Sequence, residues 1–438
     1  MVSFLHLLLM SEIEIICKLI PPNKAFMIKR VSTEIYKLLK DKKIDAIVKA
    51  DDNFIDHFIK KLSLNTQYNF IEINFVNCNL NSVDNIIQEI KNILKNDKLK
   101  KLNLRGNNLE DENGEKIISI LYKNTQLTDL DLSNNFLGDI SGYAISRMLY
   151  INTTLIKLNL SNNLFSDDVV CKIARKLEIN STLTQLNFCY NKLKDVTGQA
   201  IANALRLNKG LTNLDFSANC IKKNGVQKIA EMLRINNTLT ILNISDNNIG
   251  INGTIANSLQ YNTTLTSLNI SYNGINVEGS KAIADLLKVN TTLRSIDISN
   301  NAIGNNGCKV IAKSLKINTT LRSLRISYNY IDEYGGYAIA KSLKVNTTLT
   351  ALEINNNILY DNGVMTFVET LQINTTLKKL YISENYLDKR KVNTITEMLH
   401  MNTTLTFLDL TGKYTNRSAD QVISNMLSVN TTLTALYY

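Results

Sequence analysis

The sequence predicts an α/β solenoid, with a parallel inner sheet and outer helices. Three observations predict it. First, a block like Asn290-Thr291-Thr292-Leu293 returns through most of the chain. Its opening Asn stands at 96, 124, 152, 180, 208, 236, 262, 290, 318, 346, 374, 402 and 430. The step is 28 residues throughout, except from Asn236 to Asn262, where it is 26. A fixed period of this length marks stacked repeats. Second, apolar residues in each repeat follow L-x-x-L-x-L-x-x-N-x-L, as at Leu321, Leu324, Ile326, Asn329 and Ile331. The period-two core reads as a short strand with one buried face. Third, a Gly and a 3.6-period run follow, as at Gly279, Ile283, Ala284 and Leu287. That run reads as a short helix with one apolar stripe. A single strand and helix cannot bury this surface, whereas stacked neighbours can.

The Asn of the L-x-x-N slot stands at 107, 135, 163, 191, 219, 247, 273, 301, 329, 357 and 385. A buried amide has two donors and an acceptor, so this column predicts a ladder that satisfies backbone groups between repeats. Cys78 and Lys413 interrupt it at the two ends. The repeated Asn-Thr-Thr matches a glycan acceptor, but its strict phase points to a structural cause. Asn suits the left-handed conformation that closes a helix, and Thr suits the start of a strand.

These columns resemble the leucine-rich repeat family, in its ribonuclease-inhibitor-like form, over about residues 70–438. The resemblance implies a horseshoe of about 13 full units and a final strand. Strands stack about 4.8 Å apart and helices are about 10 Å across, so the helical arc is the longer.

Residues 1–45 do not fit the repeat. They read as a helical head of two helices broken at Pro21-Pro22. Leu9-Met10-Ser11-Glu12-Ile13, Pro21 and Val31-Ser32 together resemble an F-box. Met10 stands where that family has Pro, Ile35 where it has Trp, and the span from Glu12 to Pro21 needs a small gap. The resemblance implies docking on a Skp1-like subunit through Ile13, Pro21 and Val31. Read from its residues alone, the head is a helical cap over the first repeat. Residues 46–69, with Phe54, Phe58, Ile59 and Leu62, read as a capping helix, and the first strand as Ile73-Asn74-Phe75. The shortened repeat, with Gly250 and Gly253, predicts a tighter turn and a local change of curvature. Tyr437-Tyr438 follows a strand directly, and an uncovered edge there is a pairing liability.

Little catalytic chemistry is on offer. The histidines at 6, 57 and 400 are scattered, with no H-E-x-x-H and no phosphate-binding glycine loop. No catalytic, cofactor or metal residue is nominated. The six cysteines form no C-x-x-C, which argues against a disulfide framework or zinc site. Reduced, buried thiols in a cytoplasmic or nuclear protein are expected. No apolar run reaches the length of a membrane span, and Met1 to Met10 lacks the flanks of a signal peptide. No membrane partner is therefore expected. The net charge of +10 would suit nucleic acid. However, Arg206, Arg234, Lys288, Lys316 and Lys344 share one repeat position, at the helix C-terminus, where a cation offsets the macrodipole. No aromatic stacking pattern accompanies them, so nucleic acid is not favoured.

The informative surface is the open face of the sheet, where alternation aims the residues beside each buried Leu. Its middle column runs Asn103, Asp131, Asn159, Asn187, Asp215, Asn243, Asn269 and Asp297. It then changes to Arg325, Glu353, Tyr381 and Asp409, beside Tyr328, Lys379 and Phe407. Aromatic and Arg side chains are the usual anchors of protein interfaces. The candidate partner-binding residues are therefore Arg325, Tyr328, Glu353, Tyr381, Phe407 and Asp409. The expected function is a protein-binding scaffold, with a ubiquitin-ligase adaptor role if the head is an F-box. A stand-alone binding or inhibitory protein of the ribonuclease-inhibitor kind is the alternative. A GTPase-activating solenoid like the Ran GTPase activator is a third, weakened by the lack of that family's acidic tail.

Overall fold

The computed structural model describes residues 14–16, 47–49, 72–77, 80, 86–95, 99–250, 253–386, 395, 399, 402–412, 430 and 432–437. It divides into two compact units, residues 1–193 with 207–215 and residues 194–206 with 216–438. In the first, strands Glu72–Asn74, Lys101–Asn103, Asp129–Asp131, Lys157–Asn159, Gln185–Asn187 and Asn213–Asp215 pair in parallel, each with the next. The second repeats the arrangement through Ile241–Asn243, Ser267–Asn269, Ser295–Asp297, Ser323–Arg325, Ala351–Glu353, Lys379–Tyr381, Phe407–Asp409 and Ala435–Tyr437. Strand order follows chain order. Helices such as Asn276–Val289 and Gly304–Leu315 alternate with the strands. This is the α/β solenoid that the two periodicities predict.

Each strand is three residues long, and strands such as Ser295–Asp297, Ser323–Arg325 and Ala351–Glu353 bury only the middle side chain. So short a strand needs help to hold the stack, and the L-x-x-N amide supplies it. The Asn301 Nδ2 donates to the carbonyls of Ile270, one repeat back, and of Ser299 (3.0 and 3.1 Å). Its Oδ1 accepts from the N–H groups of Asn273 and Ile275, and its own N–H donates to the Oδ1 of Asn329. Asn301 is almost wholly buried, where an unpaired backbone group is costly.

The Asn-Thr-Thr column is a second ladder, and here one expectation is corrected. Asn290 follows its helix in extended backbone, at φ −75°, ψ 130°, not in the left-handed region. Its role is carried by the side chain. The Nδ2 donates to the carbonyls of Leu259 and Asn262, while Oδ1 accepts from the N–H groups of Thr292 and Leu293. The amide thus closes the helix of the previous repeat and opens its own strand. With both Nδ2 hydrogens engaged and the residue buried, the folded chain offers no glycan acceptor at Asn290.

Elsewhere the structure departs from the expectations in three places. Glu14–Ile16 and Ile47–Lys49 are strands paired in parallel, where helix was expected. Both carry β-branched residues, Ile15, Ile16, Ile47 and Val48, which favour extended backbone. The rest of the head, with Ile13, Pro21 and Val31, lies outside the described residues, as do Cys78, Lys413 and the domain boundaries at 45 and 69. In the shortened repeat the helix is reduced to Thr254–Leu259, entered through Gly253 at φ 57°. Among the four described cysteines only Cys308 is buried, and its burial pushes the thiol pKa up. Cys220 is exposed. The helix-end cations stand as expected, with Arg234, Lys316 and Lys344 in the cap position.

Replacing Asn301 by Leu strands several buried backbone groups, so it should cost roughly 1–3 kcal/mol. A urea melt reads this directly, and an unchanged midpoint would remove the ladder's claim to stability.

Candidate functional site

The open face carries two columns, the first and third residues of each strand. Over most repeats the third residue is Asn or Asp, and the structure explains why. Its Oδ1 accepts the N–H two residues on, which the three-residue strand leaves without a sheet partner. The bonds run from Arg105 to Asn103, Ser133 to Asp131, Ser161 to Asn159 and Cys189 to Asn187. They continue from Ser245 to Asn243, Ser271 to Asn269 and Ser299 to Asp297, at 2.9–3.1 Å. Only a short side chain with an acceptor forms this local turn. The monotony of the column is therefore a backbone requirement.

At Arg325, Glu353 and Tyr381 that side chain is missing, and two of the turns are rescued from next door. The Asn355 N–H donates to the Oγ of Ser327, at 3.1 Å, and the Ser383 N–H to the Oδ1 of Asn355, at 2.9 Å. Each acceptor lies 28 residues back, in the preceding repeat. Glu353 and Tyr381 are thereby released from holding their own backbone. Asp409 is different. Its Oδ1 accepts from both the N–H and Oγ1–H of Thr411, so it performs the same structural task as Asp297.

Register makes Arg325, Glu353 and Tyr381 lateral neighbours on successive strands. Arg325 is half exposed. Its Nε donates to the Oε1 of Glu353 at 2.8 Å, and its Nη1 lies 3.9 Å from the Oδ2 of Asp297. Partial burial, and then the Glu353 carboxylate, push the Tyr381 phenol up from its ordinary pKa. Tyr381 is therefore a neutral hydroxyl at physiological pH. Its ring stacks at 4.4 Å, centroid to centroid, on Phe407, which stands 5.5 Å from Tyr437. The three rings thus zigzag from the third column at Tyr381 to the first at Phe407 and back to the third at Tyr437, beside the Arg325–Glu353 pair.

Five of the six nominated residues are placed on the same sheet face by this register. Tyr328 lies beyond the strand end at φ 55°, a turn position that Tyr190 and Tyr272 also occupy. It is not peculiar to this region. Tyr437, which the sequence reading left out of the site, completes the aromatic row. It stands 28 residues after Asp409 in the same column, and that spacing was the available signal. Among the described residues no cluster of His, Cys, Asp and Glu could hold a metal ion.

The family described as Leucine Rich repeat matches at residues 95–117, 123–146, 236–256, 261–284, 289–312, 318–340 and 345–368. Over these seven stretches the chain matches leucine-rich repeats. Among curated proteins none matches the sequence. Of solved structures, the leiomodin-1 actin-binding site 2 is 21% identical, covering 35% of this chain and 88% of its own at a TM-score of 0.31. An internalin from Listeria monocytogenes is 18% identical, covering 82% of this chain and 92% of its own at a TM-score of 0.45. Neither likeness bears on function. The matches leave the ribonuclease-inhibitor-like subtype of leucine-rich repeat without support of its own.

The two kinds of third residue should respond differently to truncation. Asn159→Ala removes a backbone acceptor and the bond from Nδ2 to Asp131, so it should cost about 0.5–1.5 kcal/mol or more. Arg325→Ala removes only exposed ion pairs, worth about 0–1 kcal/mol. Urea midpoints of the two variants compare them, and a larger loss for Arg325→Ala would contradict the assignment.

Proposed function

We propose that the chain is a binding scaffold for a protein partner, which it holds on the sheet face between Arg325 and Tyr437. The observation that carries this reading is the rescue of the turns by Ser327 and Asn355. Large side chains at Glu353 and Tyr381 come with acceptors that make them tolerable: Ser327 is the Ser usual at its repeat position, and Asn355 departs from that Ser. The resulting surface offers a guanidinium–carboxylate pair, a neutral phenol and two further rings. Buried Arg and Tyr anchors of this kind dominate protein interfaces. The four described cysteines are free thiols, which supports a cytoplasmic or nuclear setting.

Two narrower forms of the reading differ in the head. As an F-box, residues 1–45 would dock a Skp1-like subunit and make the chain a ubiquitin-ligase adaptor. Without that role the chain is a stand-alone binding or inhibitory protein. Affinity purification of the full chain beside a form lacking residues 1–45 separates them. Recovery of a Skp1-like protein by the full chain alone supports the adaptor, and identical partners from both forms exclude it.

Partner binding should fall at least about tenfold, roughly 1.4 kcal/mol, on Tyr381→Ala or Arg325→Ala. Asn187→Ala should change it little. Quantitative recovery of the partner by each variant measures this. Greater damage from Asn187→Ala would move the binding surface away from the aromatic row.

A further inference from the structure

One feature of the second unit, which also occurs at Ile151, Ile179 and Leu207 of the first, serves neither the core nor the sheet face. The residue just before each helix-closing Asn is apolar and stands in solvent: Ile235, Tyr261, Val289, Ile317, Val345 and Ile373 are 53–64% exposed. Each sits where a helix ends, and the strands are parallel. The row therefore follows one edge of the unit. A single exposed Ile needs no explanation. The same exposure in six successive repeats does.

The edge is also basic. Arg234, Lys288, Lys316 and Lys344 directly precede four of these residues and are exposed. Lys288 shares its charge with Asp285, at 2.8 Å. Where the chain turns back into the strand, Arg294 and Arg322 add to the row. Their Nη1 groups donate to the carbonyls of Thr320 and Thr348, each at 3.1 Å, which ties the guanidinia along the edge. Residues 234–237, 260–263, 288–291, 316–319, 344–347 and 372–375 contain no Asp or Glu.

We propose that this edge rests on an anionic lipid surface. Aliphatic side chains reach into the boundary between headgroups and acyl chains, while neighbouring cations meet the phosphates. Tyr261, lying 4.7 Å beneath the Arg234 guanidinium, is a ring suited to that interface. Nucleic acid fits less well, because branched aliphatic side chains have no π face for a base to stack on. A protein partner fits less well too. The apolar row is one residue wide, and a buried Asn and an exposed Thr or Asn follow each member, which leaves no broad apolar area for a protein to cover. The expectation of no membrane partner rests on the lack of an apolar run as long as a membrane span. Peripheral contact requires no span.

The test is sedimentation of the full chain with phosphatidylcholine vesicles, with and without phosphatidylserine. Binding to the mixed vesicles should exceed binding to the neutral ones at least about tenfold and weaken with added salt. Two double variants, Ile317→Ser with Val345→Ser and Lys316→Glu with Lys344→Glu, should each weaken binding to mixed vesicles about tenfold or more. All four side chains are exposed, and unchanged urea melts would confirm that the fold survives. Tyr330→Ser, in the turn beyond the strand Ser323–Arg325, should leave binding as it was. Equal binding to both kinds of vesicle, no binding to either, or wild-type binding by either double variant overturns the proposal. Binding of an acidic protein or DNA without vesicle binding also overturns it.

Discussion

The side-chain amide of Asn is the interaction on which this solenoid depends. A three-residue strand leaves much of each repeat's backbone unpaired, and stacking buries it. Two Asn columns meet that demand at opposite ends of the strand. Asn301 ties the turn beyond the strand to the repeats on either side. Asn290 ties the helix end of the previous repeat to the start of its own strand. Each amide spends both donors and its acceptor on backbone. No aliphatic residue could substitute, and Asp, which has no donor, could do only part of the task.

The same demand explains the surface. The third strand residue looks free because it faces outward, yet over most repeats it holds the N–H two residues on. A binding surface can be built there only where that N–H finds another acceptor. Ser327 and Asn355 provide one for the repeats of Glu353 and Tyr381. Asp409 keeps the structural task, so the functional stretch is interrupted by a residue that belongs to the scaffold. The aromatic row goes around it, from Tyr381 to Phe407 in the other column and back to Tyr437.

Strand, helix and ladder were legible because each follows from a period. Leu324 and Ile326 at period two, and Ile283 with Leu287 at helical spacing, leave few alternatives once stacked 28 residues apart. The backbone of Asn290 was not legible from local preference. Its partners lie 28 and 31 residues back, and a helix-end propensity says nothing of them. The task of the outward Asn and Asp residues was not legible for a similar reason, since the turn they close is set by strand length. Arg325 and Tyr381 stood out in the sequence as departures. Why Glu353 and Tyr381 are permitted did not, because the compensating acceptors sit in the neighbouring repeat. In the head, the β-branched run at Ile15-Ile16 carried a strand signal that the apolar periodicity concealed.

Restoring the regular column tests this division of labour most directly. A chain with Arg325→Asn, Glu353→Asn and Tyr381→Asn regains the local acceptors and loses the anchors. Its urea midpoint should stay level or rise, while recovery of the protein partner falls at least about tenfold. A lower midpoint with partner recovery intact would show the reverse, that these three residues serve the fold and the partner binds elsewhere.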